Sequence, residues 1–103
     1  MISILSQLKD LIRHSYTNDC FDFRAATVAG IIDSVDMWQI EWLIIFKQIL
    51  NRIKKGQGDT DATNIDGKYI SLPITKTKKN MVLFFKQKPN NRYDIYHFKI
   101  ISQ

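Results

Sequence analysis

Across the stretch from Gly56 to Gly67 the apolar residues of this chain change their spacing from three or four positions to two. A helix repeats every 3.6 residues and a strand every two, so the switch divides the chain into a helical first half and a β second half. Elements segregated in this way bury their apolar faces by packing helices against an antiparallel sheet, an α+β arrangement.

The helical half divides into three. Ile4, Leu5, Leu8, Leu11 and Ile12 form one stripe, which predicts an amphipathic helix over Ser3 to His14. Ala25, Ala26, Val28, Ala29, Ile31 and Ile32 predict a second helix from about Asp22 to Ile32, weakened by Thr27, Val28 and Gly30. The third carries Trp38, Trp42, Ile45, Ile49 and Ile53 at helical spacing. Ser34 is placed to cap it, Arg52, Lys54 and Lys55 lie in its last turn, and Gly56 stands just beyond. Met37, Ile40, Leu43, Ile44, Phe46 and Leu50 widen its stripe, so it is expected to run through the core.

In the second half Ile70, Leu72 and Ile74 alternate with Tyr69, Ser71 and Thr75, and Pro73 marks an edge strand because it has no N–H to donate. Met81 to Phe85 is a continuous apolar run, the pattern of a central strand. Tyr93 to Ser102 alternates again, with Tyr96, Phe98 and Ile100 opposed to Tyr93, Ile95, His97, Lys99 and Ile101. Short connections at Lys76 to Asn80 and Lys88 to Arg92 favour hairpins. The expected fold is therefore about three N-terminal helices packed on a three-stranded antiparallel meander. One domain spans 1–103: a helical region over residues 1–56, an exposed, mobile loop over 57–67 and a β region over 68–103.

An apolar content of 45% suits a folded core and argues against disorder. Cys20 is the single cysteine, which excludes an internal disulfide and suits a reducing compartment. Met1 to Asp10 lacks the basic and apolar regions of a signal peptide, and no apolar run approaches the ~20 residues that span a bilayer. A cytoplasmic protein without a membrane partner is expected. The net charge is +5, of which residues 59–103 hold +4, so electrostatic recognition of an acidic partner belongs to the β region.

Few residues offer chemistry. His14 reads as a surface histidine, and Cys20 as a small core-facing thiol unless a helix start lowers its pKa. His97, with Arg92 and Tyr93, would be the set for RNA cleavage if the chain were a ribonuclease. Asp59, Asp61 and Asp66 lack the oxygen-ligand spacing of a calcium loop, and Gly56-Gln57-Gly58 belongs to no phosphate-binding motif, so neither metal nor cofactor is expected. Lys76, Lys78, Lys79, Lys86, Lys88, Arg92 and Lys99 are the candidate binding residues, interleaved with Phe84, Phe85, Tyr93, Tyr96 and Phe98. Cations for phosphates and rings for bases are the components of an RNA surface, and the same cations suit an acidic protein.

A helix-rich start, a small antiparallel sheet and a basic chain of about a hundred residues resemble, in architecture, the compact RNase toxin domains of the barnase, colicin and RelE type. Size, solubility and the missing catalytic machinery resemble instead the immunity proteins of bacterial contact-dependent inhibition toxin–immunity pairs. That second resemblance implies a non-enzymatic inhibitor that neutralises a toxin domain by covering its active-site surface. The first implies a small basic RNase toxin, and an RNA-binding domain would use the same C-terminal sheet. Neither resemblance carries residues over.

Overall fold

The computed structural model describes residues 2–103. Three α-helices and five strands follow in the order α1 (Ile4–Thr17), β1 (Phe21–Phe23), α2 (Ala25–Asp33), α3 (Ile40–Lys54), β2 (Asp59–Thr60), β3 (Lys68–Pro73), β4 (Lys79–Gln87) and β5 (Tyr93–Ser102). Ser3 caps α1 by accepting the Ser6 N–H at 3.1 Å. At the far end of α3, Gly56 adopts a φ of 78°. Its N–H donates to the Ile53 carbonyl and that of Gln57 to the Arg52 carbonyl, which closes the helix as a Schellman motif.

Two helical expectations are corrected. Ser34 does not cap α3: a 3-10 turn, Val35–Met37, intervenes, and α3 starts only at Ile40. The cause is Trp38. Its extended backbone breaks the helical run, and its buried indole N–H donates to the Ser34 hydroxyl at 2.8 Å. The second helix also starts later than Asp22, because Phe21–Phe23 is a strand.

The sheet is five-stranded and mixed, in the order β1-β5-β4-β3-β2, which overturns the expected three-stranded meander. β3, β4 and β5 are antiparallel neighbours, but β1 lies parallel to β5 and β2 antiparallel to β3. β1 joins because Phe21 and Phe23 turn into the core while its backbone is held by β5. The Tyr93 N–H donates to the Cys20 carbonyl at 2.7 Å and the Arg24 N–H to the Ile95 carbonyl at 3.2 Å. β2 arises within the expected loop, pairing Asp59 with Tyr69 and Thr60 with Lys68. It covers only the start of β3, so Pro73 still sits where no neighbour needs its N–H.

All three helices contribute to one cluster against one sheet face. Leu8, Ile31 and the α3 residues Trp42, Phe46, Ile49 and Ile53 meet Ile70, Met81, Leu83, Phe85, Ile95 and Phe98 there. Trp38 bridges, with ring centroids 5.6 Å from Trp42, 6.0 Å from Phe46 and 6.3 Å from Phe98. The alternation read for β5 is corrected by a bulge: Phe84 pairs with His97 but Phe85 pairs with Ile95. The extra residue, Tyr96, shares a side with His97, while Ile95, Phe98 and Ile100 take the core side together with Tyr93.

Candidate functional site

The opposite sheet face carries no helix. Val82 is buried there without joining the core cluster, flanked across the ladder by Ser71 and Lys99. Phe84 stands at the centre of this face. Its ring centroid lies 5.6 Å from Tyr69, 6.0 Å from Tyr96 and 5.4 Å from His97, all tilted by 43–49°. The bulge at Tyr96 is what brings two β5 rings beside one β4 ring. Two lysines lie over this array, Lys99 5.7 Å from the Phe84 centroid and Lys86 5.6 Å from that of Tyr96. Arg24, 5.5 Å from the Tyr96 centroid, is engaged by Asp94, its Nη2 2.6 Å from that carboxylate.

Tyr96 is held at its tip. Its hydroxyl donates to the Asp61 carboxylate, whose other oxygen accepts the Thr63 N–H at 3.0 Å and the Thr63 hydroxyl at 2.7 Å. Burial and the nearby carboxylate push the phenol well above its ordinary range, and the hydrogen bond from Tyr96 holds Asp61 below the usual carboxylate range. Gly67 makes room for this contact, since a Cβ there would collide with the Tyr96 hydroxyl. The segment expected to be mobile is tied at the sheet edge, where β2 pairs with β3, and on the helix-free face, where Asp61 reaches Tyr96 of β5.

The seven basic residues read from the sequence separate into three groups. Lys76, Lys78 and Lys79 sit at the β3–β4 turn, the first two exposed and Lys79 half-buried. Lys86 and Lys99 lie on the helix-free face. Lys88 and Arg92, at the β4–β5 turn, are engaged with Asp22: Lys88 Nζ is 2.8 Å and Arg92 Nη2 2.9 Å from its carboxylate. Arg92 also donates to the backbone carbonyls of Asp19 at 3.1 Å, Tyr16 at 3.0 Å and Phe21 at 3.4 Å. It ties α1, β1 and the last hairpin together. The hydrogen bond from Arg92, with Lys88 beside it, keeps Asp22 below the ordinary carboxylate range.

This placement separates the three residues named for RNA cleavage. His97 is exposed on the helix-free face, Tyr93 packs on the core side against Phe21 and Phe85, and Arg92 is spent on β1. Burial and then the Asp19 side chain push the Cys20 thiol up, away from the range of a reactive thiolate. His14 is exposed, its Nδ1 2.8 Å from the Asn18 amide nitrogen. Among the described residues no three of His, Cys, Asp and Glu gather closely enough to hold a metal ion, and no helix is long and apolar enough to cross a membrane.

Sequence reasoning missed Arg24, Tyr69 and Asp61 as parts of the face. Tyr69 was legible as the residue opposite the apolar side of β3. Arg24 and Asp61 carry no local signal, since each reaches Tyr96 from a distant stretch of the chain. Comparison of the chain with family models, curated proteins and solved structures finds no match.

Proposed function

We propose that this protein is a non-enzymatic binding module that takes single-stranded nucleic acid on the helix-free face of its sheet. The observation that supports this most directly is the ring array of Tyr69, Phe84, Tyr96 and His97 with Lys86 and Lys99 over it. Rings at the surface stack on bases whatever their sequence, and cations beside them meet the phosphates. The net charge of +5 draws such a polymer from a distance.

Fluorescence anisotropy with a labelled single-stranded RNA tests this. Phe84→Ala should cost about 1–3 kcal/mol of binding, the usual range for one stacking ring. Lys86→Ala and Lys99→Ala should each lower the slope of log affinity against log salt by about 0.7, the single-strand value per phosphate contact. Wild-type affinity that survives Phe84→Ala unchanged overturns the proposal.

A second reading, an acidic protein partner neutralised as an immunity-type inhibitor would neutralise a toxin domain, is favoured by one feature on the helical side. Met37, Ile40 and Ile44 are 48%, 52% and 55% exposed. Scattered apolar residues are ordinary on a surface, but Ile40 and Ile44 are one helical turn apart and could form an interface centre. Ile44→Asp should abolish capture of such a partner and leave RNA affinity intact; Phe84→Ala should do the reverse.

A further inference from the structure

Beyond the rings, the helix-free face continues along β4. Phe84, Val82 and Asn80 share one side of the strand, because side chains alternate across it. Lys78 stands one residue before β4, but its carbonyl accepts the Gln103 N–H at 2.8 Å, so the ladder with β5 and its alternation reach that far. The row from Phe84 to Lys78 is about 20 Å long at the rise of a strand. Lys78 is exposed and, like Lys86 and Lys99, forms no ion pair among the described residues.

Along this row the face changes from rings to polar groups. Val82 pairs with Ser71 of β3 on one side and with Lys99 of β5 on the other, so the backbones of Ser71 and Lys99 lie about 10 Å apart, two strand spacings. Asn80 Nδ2 donates to the Ser71 hydroxyl oxygen at 2.9 Å, and Asn80 Oδ1 accepts from Gln103 Nε2 at 2.6 Å. Ser71 is half-buried and fixed in this way, yet its own O–H has no acceptor among the described residues. A strand whose phosphate meets Lys99 carries the next sugar toward that free donor. The 2′-hydroxyl that could accept from it exists in RNA and not in DNA.

We propose that the strand stacked on the ring array continues along β4 to a phosphate contact at Lys78, and that Ser71 donates to a ribose 2′-hydroxyl on the way, so that the face takes RNA in preference to DNA. This rests on the helix-free face binding single-stranded nucleic acid. It adds recognition of the sugar to that of the bases, and it extends the occupied length beyond the rings. The rings alone do not discriminate, since every base has a π-face whichever sugar carries it.

Fluorescence anisotropy with two labelled octanucleotides, adenine throughout and differing only in ribose against deoxyribose, tests this. The wild-type protein should bind the RNA about fivefold tighter, the ordinary worth of one neutral hydrogen bond. Ser71→Ala should weaken RNA by that factor and leave DNA unchanged. Ser71→Thr, which keeps the hydroxyl on a residue that suits a strand, should retain the preference. Lys78→Ala should lower the slope of log affinity against log salt by about 0.7 for the RNA octanucleotide. The same variant should leave the slope unchanged for an RNA trinucleotide, too short to span from the rings to Lys78. Equal affinity for RNA and DNA, a preference that survives Ser71→Ala, or an octanucleotide indifferent to Lys78→Ala overturns the proposal while the ring array remains a nucleic-acid surface. Binding of neither octanucleotide, or binding of both unaffected by Phe84→Ala, overturns the underlying reading as well.

Discussion

Arg92 and Tyr96 lie four positions apart in the last strand region and serve different purposes. The fork of Arg92 meets one carboxylate and three backbone carbonyls, a geometry the single ammonium of lysine does not reproduce. Arg92→Lys and Arg92→Ala should therefore both lower the melting temperature by several degrees while RNA affinity per folded molecule stays near wild type. A melt indistinguishable from wild type would show that this fork does not hold the hairpin to β1. For Tyr96, a near-ultraviolet absorbance titration should show one of the four tyrosines ionising far later than free tyrosine. Asp61→Asn removes the carboxylate that opposes ionisation, and Gly67→Ala crowds the hydroxyl out of place. Both should move that late transition toward the ordinary range.

At the level of elements, α3 carries the core. Trp42 is only 4% exposed and packs against Trp38 with ring centroids 5.6 Å apart. Trp42→Ala should cost about 3–5 kcal/mol, a large share of the stability of a domain this size. Chemical denaturation measures this, and a loss below about 1 kcal/mol would mean the helix is not central. The β5 bulge matters at the same scale. A strict period of two would have put Tyr96 with Phe98 in the core and His97 on the other face with Tyr93. One inserted residue instead turns Tyr96 and His97 outward together and so produces the ring array.

For the whole molecule, stability should vary with pH at both extremes. Asp22 and Asp61 bind their protons less tightly folded than unfolded, because Arg92 and Tyr96 donate to their ionised forms. The stability they add is present above the unfolded aspartate value of about 3.9 and is lost as pH falls through their lower folded values. Tyr96 binds its proton more tightly when folded, so its share is present below about pH 10 and lost as pH rises beyond it. Thermal melts across pH should show a plateau through neutrality with a falling acid limb, and Asp22→Asn should flatten that limb. An acid limb unchanged in Asp22→Asn would remove the Arg92–Asp22 pair as its source.

The sequence by itself determined the elements whose apolar pattern is long enough to be read alone. The α3 stripe, the central run Met81–Val82–Leu83–Phe84–Phe85, the strand Tyr93–Ser102 and the two short connections all follow from periodicity and turn chemistry. It also placed most of the excess cations in the β region. Only the tertiary structure decided the rest. Phe21–Phe23 and Asp59–Thr60 are two or three residues long and become strands through hydrogen bonds supplied by β5 and β3, which no local pattern announces. Which cations are free was equally hidden. Lys88 and Arg92 are spent on an aspartate about seventy positions earlier, while Lys86 and Lys99 remain over rings. Side-chain identity reports what a residue can pair with; its partners are set by the fold, and in this chain the partners come from opposite ends of the sequence.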